Sequence, residues 1–205
     1  MKNFHWLFLA FTSVGIVSAQ DYEKLSQEYR NELSREYKAA DNPPLSGMDK
    51  VNFKALKFYD FNPDFVIEAR FEALDNTQEM QLNTSKPLIQ TYTKYGYLHF
   101  QYEGKQHKLL VLQAENLKND PEYYNYLSVY FTDETNGKGS YKMGRYMELR
   151  APLEETLVLN FNNTYNPYCA YSDRYACPVP PKENKLPFAI EAGVKTGFHG
   201  KLIKK

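Results

Sequence analysis

Histidine, cysteine and tryptophan are scarce in this 205-residue chain, which has four, two and one of them, and its charges cancel. Each shortage removes a class of function. The two cysteines, Cys169 and Cys177, are eight positions apart, whereas a zinc knuckle spaces its pairs by roughly two to four residues. Beyond His5 the histidines (His99, His107, His199) are scattered, and only His99 and His107 have a chance of facing each other, across a hairpin. The sequence therefore implies no metal site and no cofactor. Lys and Arg total 25, as do Asp and Glu, so there is no general pull toward nucleic acid or acidic membranes. Signature motifs are missing as well: no Gly-x-Ser-x-Gly elbow, no His-Glu-x-x-His helix and no phosphate loop. The acidic turn before Gly137 lacks the ligand alternation and distal glutamate of a calcium loop.

The one long apolar run is at the start. Lys2 precedes an apolar stretch from Phe4 to Val17, which ends in the small triplet Val17, Ser18, Ala19. This is the pattern of a secretory signal peptide over residues 1–19, cleaved after Ala19. A membrane anchor would need roughly 20 apolar residues, and His5 and Thr12 interrupt a shorter stretch. The expected mature chain starts at Gln20, is periplasmic or extracellular, and carries no membrane span. Its 186 residues suffice for one domain with a sizeable core. In an oxidising compartment Cys169 and Cys177 are expected to pair as a disulfide, worth about 2–3 kcal/mol on the chain-entropy model.

Residues 21–40 repeat Tyr22, Leu25, Tyr29, Leu33 and Tyr37 at three- and four-residue steps, which predicts an amphipathic helix capped at Asp21 and stopped by Pro43 and Pro44. It either docks on the domain or binds a partner. From there the period is two. Phe65 to Ala73 alternates, and Tyr97–Tyr102 and Gln106–Gln113 flank Glu103, Gly104 and Lys105 as a hairpin. Further strands are expected near Met80–Asn83, Leu88–Tyr92, Tyr126–Phe131, Arg145–Leu149, Leu157–Phe161 and Phe188–Ala192. The fold expected is mainly β: an antiparallel sandwich or barrel of about nine strands with an N-terminal amphipathic helix. It forms a single domain over residues 20–196, with 197–205 as a flexible basic tail. Asp133 to Gly144 and the longer, proline-rich Asn162 to Pro187 interrupt the strands, and an ordered loop of the latter length is often functional.

Three segments carry a resemblance. They are Phe131, Asp133, Thr135 and Gly137; then Tyr141, Gly144, Arg145 and Tyr146; and Asn166-Pro167-Tyr168-Cys169 running through Cys177-Pro178, Pro180-Pro181 and Glu183-Asn184 to Gly193. They resemble a family of uncharacterised, mostly bacterial proteins, domain of unknown function 1684, over about Tyr22 to Lys195. Tyr168 departs from the pattern, which has a second proline there. The resemblance implies no activity.

Those motif residues still have a physical reading. Asp133, Thr135, Tyr141, Arg145, Tyr146, Asn162, Asn166, Tyr171, Glu183 and Asn184 are polar and cluster in the two irregular segments. If the segments meet, they form a polar pocket suited to a small polar ligand. Equally, Arg145 can pair with Asp133 or Glu183 while the amides satisfy loop backbone. The function expected is a non-catalytic ligand-binding or accessory envelope protein. The alternatives are a hydrolase-type enzyme with a carboxylate base beside Arg145, and a structural envelope protein that binds partners through its N-terminal helix.

Overall fold

The computed structural model describes residues 18–39, 44–75 and 78–199. Of the expected signal peptide only Ser18 and Ala19 fall among them, and residues 200–205 of the expected tail lie outside.

Helix α1 (Ala19–Ala39) starts on a capping box: the Ser18 amide donates to Asp21 (2.9 Å), and the Asp21 amide returns a bond to the Ser18 hydroxyl (3.3 Å). In the uncut chain Asp21 is thus the partner of the cap rather than the cap. Ser26, Leu33 and Tyr37 are buried, but Leu25 is 51% exposed, contrary to the expected stripe. The reason is a polar anchor: Asn160 donates to the Ser26 hydroxyl (2.9 Å), which turns position 26 to the domain and Leu25 away. The far half of α1 packs by Leu33 and Tyr37 against Leu45, Phe53, Leu56, Val194 and Phe198.

After the short helix α2 (Gly47–Asn52), β1 (Ala55–Phe58) pairs antiparallel with the last strand, β9 (Val194–His199). Neither was expected, and residues 197–199 are strand rather than tail. Alternation in Val194–His199 is diluted by Gly197, and only the partner strand from the other end of the chain makes the pairing legible. The converse error is Phe188–Ala192, which is irregular. Ile190 and Ala192 are buried in the core as the pattern required, but their carbonyls bond a side chain instead of a ladder.

The main sheet runs β7 (Arg145–Arg150), β6 (Tyr126–Phe131), β5 (Lys105–Ala114), β4 (Ile89–Tyr102), β2 (Val66–Ala73), β8 (Thr156–Asn160), with β3 (Glu79–Asn83) also on β4. All its strand pairs are antiparallel. The two strands expected at Leu88–Tyr92 and Tyr97–Tyr102 are one long β4, broken in register between Lys94 and Gly96. The β4–β5 hairpin turns on Glu103 and Gly104, both with positive φ (49° and 72°), as a two-residue primed turn needs. Its register puts His99 opposite Lys108 and His107 opposite Phe100, so the two histidines lie on opposite faces. Past β8, Tyr165 pairs with Tyr146 of β7 at the other edge (2.9 and 3.0 Å), so the sheet curls into a half-barrel.

The core inside the curl includes Phe65, Leu98, Leu109, Val111, Leu127, Val129, Phe131, Leu159 and Phe161. The opposite face of β5 and β6 is also buried, through Leu110, Leu112 and Tyr130. These central strands therefore read as continuous apolar runs rather than alternating ones.

Candidate functional site

Asp133, Thr135 and Arg145 meet in one enclosed node. Arg145 opens β7 directly after Gly144, whose φ of 106° and lack of a Cβ let the chain pass 2.6 Å (Cβ position) from the Phe131 carbonyl and Pro180. Its side chain is fully buried. One guanidinium nitrogen donates to Asp133 Oδ2 (2.8 Å), the Ile190 carbonyl (2.8 Å) and the Thr135 hydroxyl (3.4 Å), and the other to the Ala192 carbonyl. Asp133 Oδ1 accepts from the Thr135 amide (2.8 Å) and the Ile190 amide (3.3 Å). A buried charge is tolerable only when paired and hydrogen-bonded, and this pair is both. Neither carboxylate oxygen has a face open to a substrate.

The network continues through the second irregular segment. Asn136 accepts from the Asp133 amide (2.7 Å) and donates to the Tyr141 carbonyl (2.9 Å). The Tyr141 amide donates to Asn166 (3.4 Å), which in turn donates to the Tyr171 hydroxyl (3.2 Å) and the Lys195 carbonyl (3.0 Å). The segments thus do meet. Three of the expected residues lie elsewhere. Asn162 holds the backbone of Asn62 by two 2.9 Å bonds. Asn184 is wedged between β5 and β6, bonded to Leu110 N (2.7 Å) and to the Leu110 and Tyr130 carbonyls (both 2.9 Å), where the ladder itself registers only Leu112 with Ser128. Glu183 is exposed, taking a bond from Tyr97 (2.8 Å) and an ion pair from Lys94 (3.7 Å). Burial and then that bond raise the Tyr97 phenol to about 12.

Thr135 lines one open pocket, of about 400 Å³, with Tyr59, Glu134, Lys138 and Glu191, and Tyr146 lines a second, an open cleft. This cleft, of about 250 Å³, lies between the second half of α1, β7 and the disulfide loop, and its walls include Glu36, Tyr146, Glu148, Tyr165, Tyr168 and Tyr175. Cys169 and Cys177 are joined (S–S 2.03 Å), and the segment they close supplies Tyr175, Ala176 and Cys177 itself to the wall. Tyr146 is fixed by a bond to the Pro178 carbonyl (2.5 Å), Tyr165 by one to Glu148 (2.5 Å). Ring pairs Tyr146–Tyr165, Tyr37–Tyr168 and Tyr168–Tyr175 stand at 80°, 88° and 69°, making corners rather than stacks.

The two carboxylates of the cleft are exposed and, among the described residues, neither has a cation within ion-pairing reach. Arg150, two residues beyond Glu148, lies over the Tyr126 ring and bonds Asn125 (3.2 Å). Glu36 has its pKa raised, by partial burial first and then by repulsion from Glu148 and Glu32. Burial, then the same Glu148 and Glu36, push the Tyr29 phenol up. Sequence reading missed Glu36 and Glu148, one charged residue among many on α1 and one outward position of β7. The available signal was the density of Tyr165, Tyr168, Tyr171 and Tyr175 within one loop. Among the described residues no group of three or more His, Cys, Asp or Glu is placed to hold a metal ion.

Comparison with known proteins agrees with the resemblance. The family model for "Protein of unknown function (DUF1684)" matches residues 51–195. The solution NMR structure of an uncharacterized protein of Haloarcula marismortui is similar, with a TM-score of 0.67 and 31% identity, over 86% of this chain and 95% of that one. No curated protein matches. The chain belongs to the DUF1684 family.

Proposed function

We propose that this member of the DUF1684 family is a non-catalytic, exported binding protein that holds a small polar ligand in the cleft between α1, β7 and the disulfide loop. The observation that carries the reading is a contrast: both carboxylate oxygens of the buried Asp133 are taken within the Arg145 node, whereas Glu36 and Glu148 line a tyrosine-walled opening with no cation in ion-pairing reach among the described residues. A hydrolase base beside Arg145 finds no support in this geometry, because Asp133 is enclosed and Glu183 lies on another surface. Export rests on the N-terminal signal pattern together with the disulfide, which suits an oxidising compartment. No helix among the described residues is long and apolar enough to cross a membrane. Intact mass of the exported chain should correspond to a start at Gln20.

The binding reading is tested by native mass spectrometry of the protein isolated from its own host. A non-covalent adduct should accompany the wild-type chain and be absent from Ala176→Trp, which fills the cleft wall. Retention of the same adduct by that variant would place the ligand elsewhere.

A further inference from the structure

We infer that the cleft selects a small organic cation, an alkyl- or quaternary ammonium group, held between Glu36 and Glu148 and boxed by tyrosine rings. The inference rests on the reading of this cleft as the binding site and names its ligand class.

Three properties of the walls converge. First, the charge is of one sign: among the described residues the acidic groups lining the cleft are Glu36 and Glu148, and no lysine, arginine or histidine lines it. Anions are therefore repelled. Second, the remaining walls are poor in the oxygen ligands a hard metal ion demands. Beside the carboxylates they present Leu33, Pro167, Ala176, Pro178 and tyrosine rings, whereas calcium takes about 6–8 oxygens. An ammonium carrying methyl groups loses little on leaving water and gains both charge attraction and contact with aromatic surface. Third, the acceptors are held ready. Tyr165 fixes Glu148 by a 2.5 Å bond, and Tyr126 steadies Tyr165 with its own hydroxyl 3.4 Å away. Glu36 is carried on the docked half of α1, one residue from the buried Tyr37, whose hydroxyl is tied to the Asn166 carbonyl (2.7 Å). The hydroxyl of Tyr29, packed in the same cluster and close enough to feel both carboxylates, makes no hydrogen bond among the described residues. Two carboxylates lining one cleft repel, and a bound cation relieves that repulsion. A neutral molecule of the same shape cannot.

The test is an NMR titration of the full chain as exported, at constant ionic strength, with choline and with its uncharged isostere 3,3-dimethylbutan-1-ol. Choline should give saturable shifts at the amides of Glu36, Glu148 and Tyr175–Cys177, with the isostere about tenfold weaker or more. Glu36→Gln with Glu148→Gln should remove that preference while the spectrum stays folded, and Tyr175→Leu should weaken choline several-fold. Equal binding of choline and isostere at these amides would overturn the cation class and leave the cleft standing as the site. Competition by millimolar Mg²⁺ or Ca²⁺ at the same amides, with choline inert, would replace the organic cation by a metal and overturn the inference. If neither these probes nor neutral and anionic solutes shift the cleft, the site itself falls with the inference.

Discussion

The Arg145 node and the Glu36–Glu148 cleft use the same kinds of residue, charged groups beside tyrosines, and put them to opposite uses. In the node every carboxylate oxygen of Asp133 is taken by Arg145, Thr135 or Ile190, and the guanidinium holds two backbone carbonyls of a segment that would otherwise be strand. In the cleft the carboxylates share an opening, Glu148 receives the Tyr165 hydroxyl, neither has a cation in reach among the described residues, and the two repel each other. A charge enclosed with its partner fixes structure, and a charge left facing an opening is available to something outside the chain. Chemical type alone does not separate the two, because what matters is whether the local backbone has already used the group.

Several measurements would break or sharpen this contrast. Arg145→Leu leaves Asp133 buried without its cation and should cost about 3–5 kcal/mol of unfolding free energy in urea. Arg145→Lys keeps the charge but not the fork. Hydrogen exchange should rise first at Ile190 and Ala192, whose carbonyls the fork holds, rather than around Cys169. Next in size is the helix that carries Glu36: Leu33→Asp should cost about 3 kcal/mol by burying an unpaired charge, while Leu25→Asp, at the exposed position, should stay within about 0.5 kcal/mol of wild type. Equal losses at the two sites would mean that α1 docks along the whole expected stripe. The double variant Cys169→Ser, Cys177→Ser should lose about 2–3 kcal/mol and bind choline more weakly, since the ring they close is a wall of the cleft.

The smallest effect is on acidity. Because Glu36 keeps its proton to higher pH in the folded chain than in the unfolded one, it disfavours the fold once pH rises past the ordinary carboxylate value. Its contribution improves as pH falls through the raised pKa. Glu36→Gln should flatten the pH dependence of stability in that window. Choline affinity should decline on acidification through the same window in wild type, with Glu32, Glu148, Tyr29 and Tyr168 as the neighbouring titratable groups.

Much of this was legible in the sequence. Strand patterning, as alternation in β2 and as apolar runs in β5 and β6, found β2, the β4–β5 hairpin and β6 to β8, because each of these strands has at least one face on the core. It failed at β1 and β9, short strands whose pairing joins the chain's two ends, and at Phe188–Ala192, where burial without a ladder mimics a strand. That Arg145 pairs with Asp133 or Glu183 followed from the cost of an uncompensated guanidinium beside an apolar strand, but the choice of Asp133 did not. The attachment points at Ile190 and Ala192 did not, since backbone acceptors carry no sequence signal. The cleft was hidden for a third reason: Glu36 and Glu148 are separated by more than half the chain and become neighbours only once α1 lies across the end of the half-barrel.

The most direct test sets the two regions side by side in one equilibrium urea experiment, comparing Asp133→Asn with Glu148→Gln. Both changes remove one negative charge and keep a side chain of nearly the same shape. The account predicts that Asp133→Asn loses several kcal/mol, on the order of 3, because Arg145 is left buried without an anion. Glu148→Gln should hold or raise the midpoint, because the amide oxygen still accepts from Tyr165 and the repulsion of Glu36 is gone. A fall in Glu148→Gln as deep as in Asp133→Asn would make Glu148 a structural member of the fold and contradict its assignment to a binding cleft.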